Sequence, residues 1–279
     1  MTRHRTATAL MLALLLLLAA SATAGLPKDK PDPDKRVLAV QKDGEKIGEL
    51  TYKWVQTSSG NEFASSRIEL KTGHGKYVVR THLKRRPDGT VEKYKKWLGN
   101  AGSKPEVIVF WKGKKVRIVS KIPDNSFTRT HTPPEGFLLL DELGFHLYRD
   151  FVRSWRTGGD GPRPVLSVNT GRFTTISVTG AGKAQITRKD RARMVDVVAV
   201  EHEGQQTLVY VDEKDEIWGV VAPGLTLTRG GWTLGEVQAP VAAPADLDNL
   251  PDDPDPAPEP DTIGAPSEKP LPHKPLPID

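Results

Sequence analysis

One stretch, residues 135–155, is the only long helix candidate in a chain that otherwise shows the pattern of short β-strands. At about 100° per residue, its large apolar side chains fall on one arc of roughly 180°, with charged side chains opposite. An arc that wide is typical of a helix pressed into a concave surface. We therefore expect a curved sheet closed by this helix, with regular helix near 138–155. The apolar arc consists of Leu140, Leu143, Leu147, Tyr148, Phe151, Val152 and Trp155.

Prolines and glycines mark the two ends of this helix. Pro133 and Pro134 precede it, and because the residue before a proline avoids the α region, we expect an extended or bent entry. The glycine-rich residues 158–161 follow it and predict a helix stop. A phosphate-cradling loop is disfavoured there, since such a loop has to precede a helix.

The rest of the chain between residues 37 and 238 alternates apolar and polar residues with period two and is interrupted by turn signals. Asp43-Gly44, Pro87-Asp88-Gly89 and Lys112-Gly113 are examples of such turns. About seven strands precede the helix and a similar number follow it. The predicted fold class is mainly β (α+β), a strongly curved antiparallel sheet or half-open barrel of about 11–14 strands wrapped around one main helix.

The first residues have the pattern of a secretory signal. A basic start is followed by an apolar run over 9–20 and by the A-x-A site Ala22-Thr23-Ala24. An uncleaved membrane anchor is the alternative, but the run is short for spanning a bilayer. We predict a signal peptide over 1–24 and export to the periplasm or the extracellular space, with no transmembrane segment after cleavage. We predict that residues 25–36 form a flexible leader and that residues 37–238 form the sheet domain.

The C-terminal residues 239–279 differ abruptly in composition. They hold 12 of the 23 prolines and nine Asp or Glu against Lys269 and Lys274, a net charge of −7. This pattern is typical of a disordered, Pro-rich acidic tail. The sheet domain with its leader carries +10, so the tail is either a solubilising spacer or an internal screen for a basic body.

Catalytic chemistry has little support in the sequence. The chain contains no cysteine, which excludes disulfides, cysteine acylation, thiol catalysis and cysteine zinc sites. No nucleophile-elbow motif is present, and the neighbouring carboxylates Asp141 and Glu142 point in different directions. We therefore predict a protein that is not an enzyme, with no catalytic residue, metal or cofactor. The histidines, which lack metal-ligand spacing, are His74, His82, His131, His146 and His202 among others.

Basic residues gather at the turns before Pro87 and about Gly113. Alternate turns of a meander lie at alternate ends of the sheet, so these two would share one end as a basic rim, continued by Lys93, Lys95 and Lys96. Such a rim suits an anionic partner, such as lipid headgroups, an acidic polymer or the chain's own tail. The alternative is a solvated sheet end that blocks edge pairing. Export disfavours nucleic acid. The rim residues are Lys84, Arg85, Arg86, Lys112, Lys114 and Lys115.

The layout of signal, meander, Pro-containing turn, amphipathic helix and second set of strands has a counterpart among exported proteins. Together with the hairpin pattern V-Y-V-D-x-x-D-x-I-W-G-V-x-x-P-G at 209–224, it resembles the periplasmic lipoprotein-localisation carriers and the exported domains that share their half-open barrel. The resemblance covers about residues 37–230. The carriers usually have more than one helix closing the barrel, whereas this sequence shows one.

This resemblance implies an apolar cavity between sheet and helix that receives acyl chains. The alternative is that the same side chains fill the core, since packing and acyl binding both need branched and aromatic surface. The residues that would line the cavity are Leu140, Leu143, Leu147, Phe151 and Trp155 on the helix, with Trp54, Phe110 and Trp111 opposite.

Three functions are consistent with these patterns. The first is an exported, non-catalytic binding or carrier domain for an amphipathic anionic ligand, a lipid or lipoprotein, in the cell envelope. The second is an envelope protein-protein interaction or scaffolding protein with no small-molecule ligand. The third is a hydrolase with no recognisable motif.

Overall fold

A computed structural model describes residues 34–73, 75–99 and 104–239. The predicted signal peptide, nearly all of the predicted leader and all of the predicted tail beyond Ala239 lie outside the described residues. Within the described part, sixteen strands join one large curved sheet, and one short helix accompanies them. The alternating sequence pattern predicts this mainly β class correctly, although the strand count exceeds the expected 11–14.

The first eight strands form an antiparallel meander in which each strand pairs with the next. Tight turns at positions of positive φ connect several of them, as at Asp43 and Gly44. The first strand begins at Lys35, two residues inside the predicted leader. These strands are β1 (Lys35–Lys42), β2 (Glu45–Gln56), β3 (Glu62–Thr72), β4 (Gly75–Arg85), β5 (Val91–Leu98), β6 (Val107–Lys112), β7 (Lys115–Ile122) and β8 (Asn125–His131).

The remaining elements begin with a short strand and the helix and continue as a second antiparallel series. They are β9 (Leu138–Leu140), a 3-10 turn (Phe145–Leu147), α1 (Tyr148–Gly158), β10 (Gly161–Ser167), β11 (Phe173–Arg188), β12 (Arg191–His202), β13 (Gln205–Val211), β14 (Ile217–Ala222), β15 (Leu225–Arg229) and β16 (Thr233–Gln238).

The two series meet where β1 pairs with β15, so the sheet runs from β8 through β1 and β15 to β9. The β8 edge of the sheet contacts the turn between β10 and β11 through its side chains. The Asn125 amide donates to Asn169 O at 2.8 Å, His131 Nε2 lies 2.8 Å from Gly171 O, and Phe127 packs where Gly171 has no Cβ. These contacts hold the sheet in its curved form.

The predicted helix near 138–155 is wrong in its first half and right in its second. Leu138–Leu140 pair in parallel with β10, and regular helix begins only at Tyr148. Three successive leucines fit a strand as well as a helix, and pairing with β10 satisfies their backbone groups. The helix ends at Gly158, and Gly159 (φ 67) donates its N–H to Trp155 O, as the glycine run predicts.

The inner face of the sheet packs on α1 and on the segment before it. Phe145, Phe151 and Val152 are buried with aliphatic side chains of both series of strands. Leu139 and Leu147 join a second cluster with inward side chains of β3 to β7. The insert between the two series (residues 132–160) therefore supplies much of the core.

Candidate functional site

Two turns of the first series, after β4 and after β6, lie at the same end of the sheet. The last turns of α1 and residues 133–137 lie there too. A cavity of about 1000 Å³ opens between these segments, and we call it the basic-end cavity. The sequence pattern anticipated that both turns share one end, and the structure brings them onto one cavity.

The basic-end cavity has an apolar wall. The Trp111 indole is held by its Nε1, which donates to Val91 O at 2.5 Å, and by Phe137, with ring centroids 6.3 Å apart. A ring fixed in this way offers a rigid surface to an apolar ligand. The wall consists of Val91, Trp111, Pro133, Pro134, Phe137 and Leu138.

Two ion pairs lie on the opposite, charged wall of this cavity. Arg85 and Asp150 are both buried and form a salt bridge, and Arg85 Nη1 also donates to Gly89 O at 2.7 Å. Burial raises the pKa of Asp150, while the Arg85 guanidinium opposes this rise. Arg153 Nη1 lies 2.8 and 2.9 Å from the two carboxylate oxygens of Glu62. These pairs tie α1 to β4 and to the start of β3.

Other cations at the mouth are not compensated in this way. Within the described residues, Arg86 and Lys114 line the cavity without an ion pair. Asp88 and Glu135 also line it, so the lining itself is balanced in charge. The positive excess comes from Lys112 and Lys115, which flank Lys114 in the same turn.

A second cavity, of about 950 Å³, lies at the opposite end of the sheet. Leu140, Leu143, Phe145 and Tyr148 form its apolar floor. Arg129 and Arg172 at its rim are matched in number by Glu142 and Glu203. We call it the opposite-end cavity.

The eight residues predicted to line one apolar cavity do not lie together. Leu140 and Leu143 line the opposite-end cavity, whereas Trp111 lines the basic-end cavity. Leu147 and Phe151 are buried in the core, at 1% and 0% exposure. For these two the core-filling alternative is correct, because the helix packs directly on the inner face of the sheet.

The three remaining aromatic residues of that set lie elsewhere. Trp155 packs over Gly180 and its Nε1 donates to Asp160 at 2.9 Å. Trp54 lies under the guanidinium groups of Arg149 and Arg153 beside a small pocket of about 140 Å³. Phe110 is on the outer face of β6, since neighbouring strand residues point to opposite faces and Trp111 points inward.

The same alternation along the strands places the predicted rim residues on two different faces of the sheet. Arg85 points inward to Asp150, and Lys96 also points inward, donating to Asp141 Oδ1 at 2.8 Å. The other predicted rim residues are exposed or half-buried at or near the two turns. Arg85 and Lys96 are therefore structural ties rather than parts of an anion-binding rim.

A buried polar cluster was not predicted from the sequence. Asp141 accepts hydrogen bonds from Tyr94 Oη at 2.6 Å and from Lys96. Close by, the His146 ring lies 3.3 Å from Thr81 Oγ1, and burial lowers its pKa to about 4. The signal that could have found Asp141 is its break in the apolar arc. All these side chains are buried, which suits anchoring of the insert rather than reaction with a ligand.

The described residues include no group of His, Asp or Glu side chains arranged to hold a metal ion. None of the helices in this part of the chain is long and apolar enough to cross a membrane.

Comparisons with known proteins add little to this description. No protein-family model and no curated protein matches the chain. Among solved structures, the chain is similar to the crystal structure of a beta-barrel-like protein of a domain of unknown function, DUF1849, from Brucella abortus. The two chains share 9% sequence identity with a TM-score of 0.46, over 74% of this chain and 97% of the other. Similarity at this level does not establish a shared function.

Proposed function

We propose that this domain binds an amphipathic anion without transforming it, as an exported carrier or binding domain for a lipid or lipoprotein in the cell envelope. The observation that carries the proposal is the basic-end cavity, in which a rigid aromatic wall and cations without ion pairs occur together. Its volume of about 1000 Å³ lies at the upper end of the range for small-molecule sites.

In this proposal the ligand's apolar chain lies along Trp111, Phe137 and Leu138. The anionic headgroup then meets Arg86 and Lys114 at the mouth, where water and charge are available. The curved sheet acts as a half-open barrel around α1, and α1 separates the basic-end cavity from the opposite-end cavity. The predicted resemblance to lipoprotein carriers agrees with this role.

The basic-end cavity is favoured over the opposite-end cavity because of charge. The arginines of the opposite-end cavity, Arg129 and Arg172, face an equal number of glutamates in the same lining. At the basic end, Lys112 and Lys115 add positive charge that the lining acids do not match. An anionic headgroup is therefore attracted more strongly to the basic end.

A cavity-filling variant tests the proposal. Thr157 is an exposed residue of α1 that lines the basic-end cavity, and Thr170 is an exposed residue that lines the opposite-end cavity. We expect Thr157→Trp to weaken binding of a long-chain lysophosphatidylglycerol by about tenfold or more, and Thr170→Trp to leave it unchanged. Titration calorimetry on the two variants and the parent gives the comparison. Equal effects of the two substitutions, or no measurable binding by the parent, would contradict the proposal.

The headgroup part of the proposal has its own control. Replacing both Arg86 and Lys114 by serine should weaken binding of the anionic lipid but not of a lysolipid with a zwitterionic headgroup. In addition, native mass spectrometry of protein purified from an envelope fraction should show co-purified lipid. A ligand-free mass under every gentle condition counts against a carrier role.

A further inference from the structure

The strands β4 to β7 have an unusually one-sided charge. Together they contain a single acidic residue, Glu92, among many lysines and arginines. Two of their cations, Arg85 and Lys96, point inward and are each paired with a carboxylate of the insert. The others point outward, and Glu92 pairs with just one of them, Lys84, at 2.7 Å.

Outward cations occur on each of these four neighbouring strands. The register places Lys84 opposite Lys93, and Lys93 opposite Phe110, whose partner on the next strand is Arg117. We call the outward side of β4 to β7 the outer cationic face. Its cations without an ion pair in the described part of the chain include Arg80, Lys93, Lys95, Lys112 and Arg117.

Like charges in direct cross-strand positions destabilise a sheet. Lys93 and Lys84 occupy such a pair, and Glu92 compensates only Lys84. A fold keeps such an arrangement at a cost in its own stability, and an anionic partner offsets that cost. The outer cationic face therefore has the electrostatics of a binding surface.

Aromatic rings stand between these cations. Trp97 is half-buried, lies edge-on to His82 at 4.9 Å, and has Arg80 and Lys95 each 5.9 Å from its ring centre. Phe63, at the neighbouring edge on β3, is 41% exposed with Lys84 Nζ 5.8 Å from its ring. Amphipathic aromatic rings beside lysines and arginines are typical of surfaces that meet lipid headgroups.

We propose that the outer cationic face docks the domain on an anionic lipid bilayer. Lysine and arginine side chains meet headgroup phosphates, and Trp97 and Phe110 enter the headgroup layer. A bilayer is favoured over a linear polyanion because the cations spread over four strands in two dimensions rather than along one track. This surface lies on the opposite side of the sheet from the cavities. Lys112 and Lys115, at the turn between β6 and β7, also add charge near the basic-end cavity, so the variants below leave both unchanged.

Vesicle flotation tests the proposal with the full chain, all variants being prepared in the same way. The vesicles are phosphatidylcholine with or without phosphatidylglycerol, at low and high salt. We expect binding to the anionic vesicles that falls as salt rises. The triple variant Lys93→Glu, Lys95→Glu, Arg117→Glu should lose about tenfold or more in vesicle affinity.

The matched control is Lys183→Glu, Arg188→Glu, Arg191→Glu, three exposed cations of β11 and β12 with the same change in net charge. It should bind like the parent, and so should Thr157→Trp, even if that variant no longer binds lysolipid. Equal loss in both triple variants, or no loss in either, overturns the proposal. Binding to a soluble polyanion such as heparin in place of vesicles overturns it too.

Folding is checked by thermal unfolding of each variant. If the glutamate triple variant does not fold, the glutamine variant Lys93→Gln, Lys95→Gln, Arg117→Gln carries the test with the same expected direction. Trp97→Ser separates docking by charge from insertion, since it should reduce vesicle affinity at high salt more than at low salt.

Discussion

The outer face of the sheet is covered in one region and open in another. On β11 and β12, Ala184, Ile186 and Val197 point outward and are fully buried. The segment with Trp232 and Leu234 folds over them, and β16 pairs with the second half of β11. On β4 to β7 the outward side chains are mainly cations and aromatic rings, with Ile108 and Val119 among them, and most stay half-buried or exposed. The outer face is thus apolar where another segment covers it, and largely charged and aromatic where it is open.

The inner faces of the same two regions also differ. In the second series the inner face is aliphatic, with Val178, Val198 and Val209 packed against α1 and its neighbours. In the first series Arg85 and Lys96 point inward and meet carboxylates of the insert. The insert therefore packs on apolar side chains of both series, and buried ion pairs add a charged attachment to the first series.

Removing one buried cation should weaken the charged attachment of the insert to the first series. We expect this change to have the largest effect on stability. Lys96→Met leaves the buried Asp141 without its positive partner, which should lower the free energy of unfolding by about 3–5 kcal/mol. Its neighbour Lys95 points outward, so Lys95→Met should change stability by less than about 0.5 kcal/mol. Urea unfolding of both variants measures the difference.

The double variant Lys96→Met, Asp141→Asn serves as the internal check. It removes both charges and should recover part of the loss. Equal destabilisation by Lys96→Met and Lys95→Met would show that the inner charge pair does not hold the insert.

Acidification should weaken the polar attachment of the insert to the first series and leave its apolar packing on the second series unchanged. The pKa of buried His146 is about 4, below its ordinary value of 6.5. Between these pH values the unfolded chain binds a proton that the folded chain does not. Stability should therefore fall on acidification from pH 6.5 to 4, by about 3 kcal/mol from this group. Comparing the unfolding free energy of the parent and of His146→Gln over this range gives the contribution, and parallel pH curves would exclude it.

Exposing the covered outer face of β11 and β12 should have a smaller effect on stability. Leu234 packs on Gly219, where an added Cβ would lie 2.5 Å from the leucine side chain. We expect Leu234→Ala to cost about 2 kcal/mol and to expose apolar surface that binds a hydrophobic dye. Met194→Ala, at a position 48% exposed, is the control and should do neither. Equal dye binding by Leu234→Ala and the parent would mean that β16 does not cover the outer face.

Much of the fold could be predicted from local patterns. Alternation and turn residues anticipated the meander, and the glycines after residue 157 marked the helix end. Three strands were missed: β8, for which the sequence suggested a connecting loop, and β9 and β16, which depend on distant partners. β16 pairs with β11 beside Gly182, where the backbone of Gln238 approaches so closely that no Cβ would fit. No local pattern shows such an approach.

Less of the candidate site could be predicted. The sharing of one sheet end by the two basic turns followed from counting turns, and Trp111 was named as a cavity residue. Phe137 and Leu138 were not named as cavity residues, because the sequence there predicted the entry to a helix rather than a strand that lines the cavity. Ion pairs with the insert could not be foreseen, since Asp141 and Asp150 are far from Lys96 and Arg85 in the chain.

The sequence by itself determined where strands and turns alternate, where the helix stops and where positive charge accumulates, because these depend on residues close together in the chain. Only the tertiary structure decided which side of each strand meets the insert. A register shift between Lys84 and Arg85 in the pairing of β4 with β5 changes that side locally. Alternation along β5 places Lys95 and Lys96 on opposite faces, and only the tertiary structure decides that Lys96 is the one buried on a carboxylate.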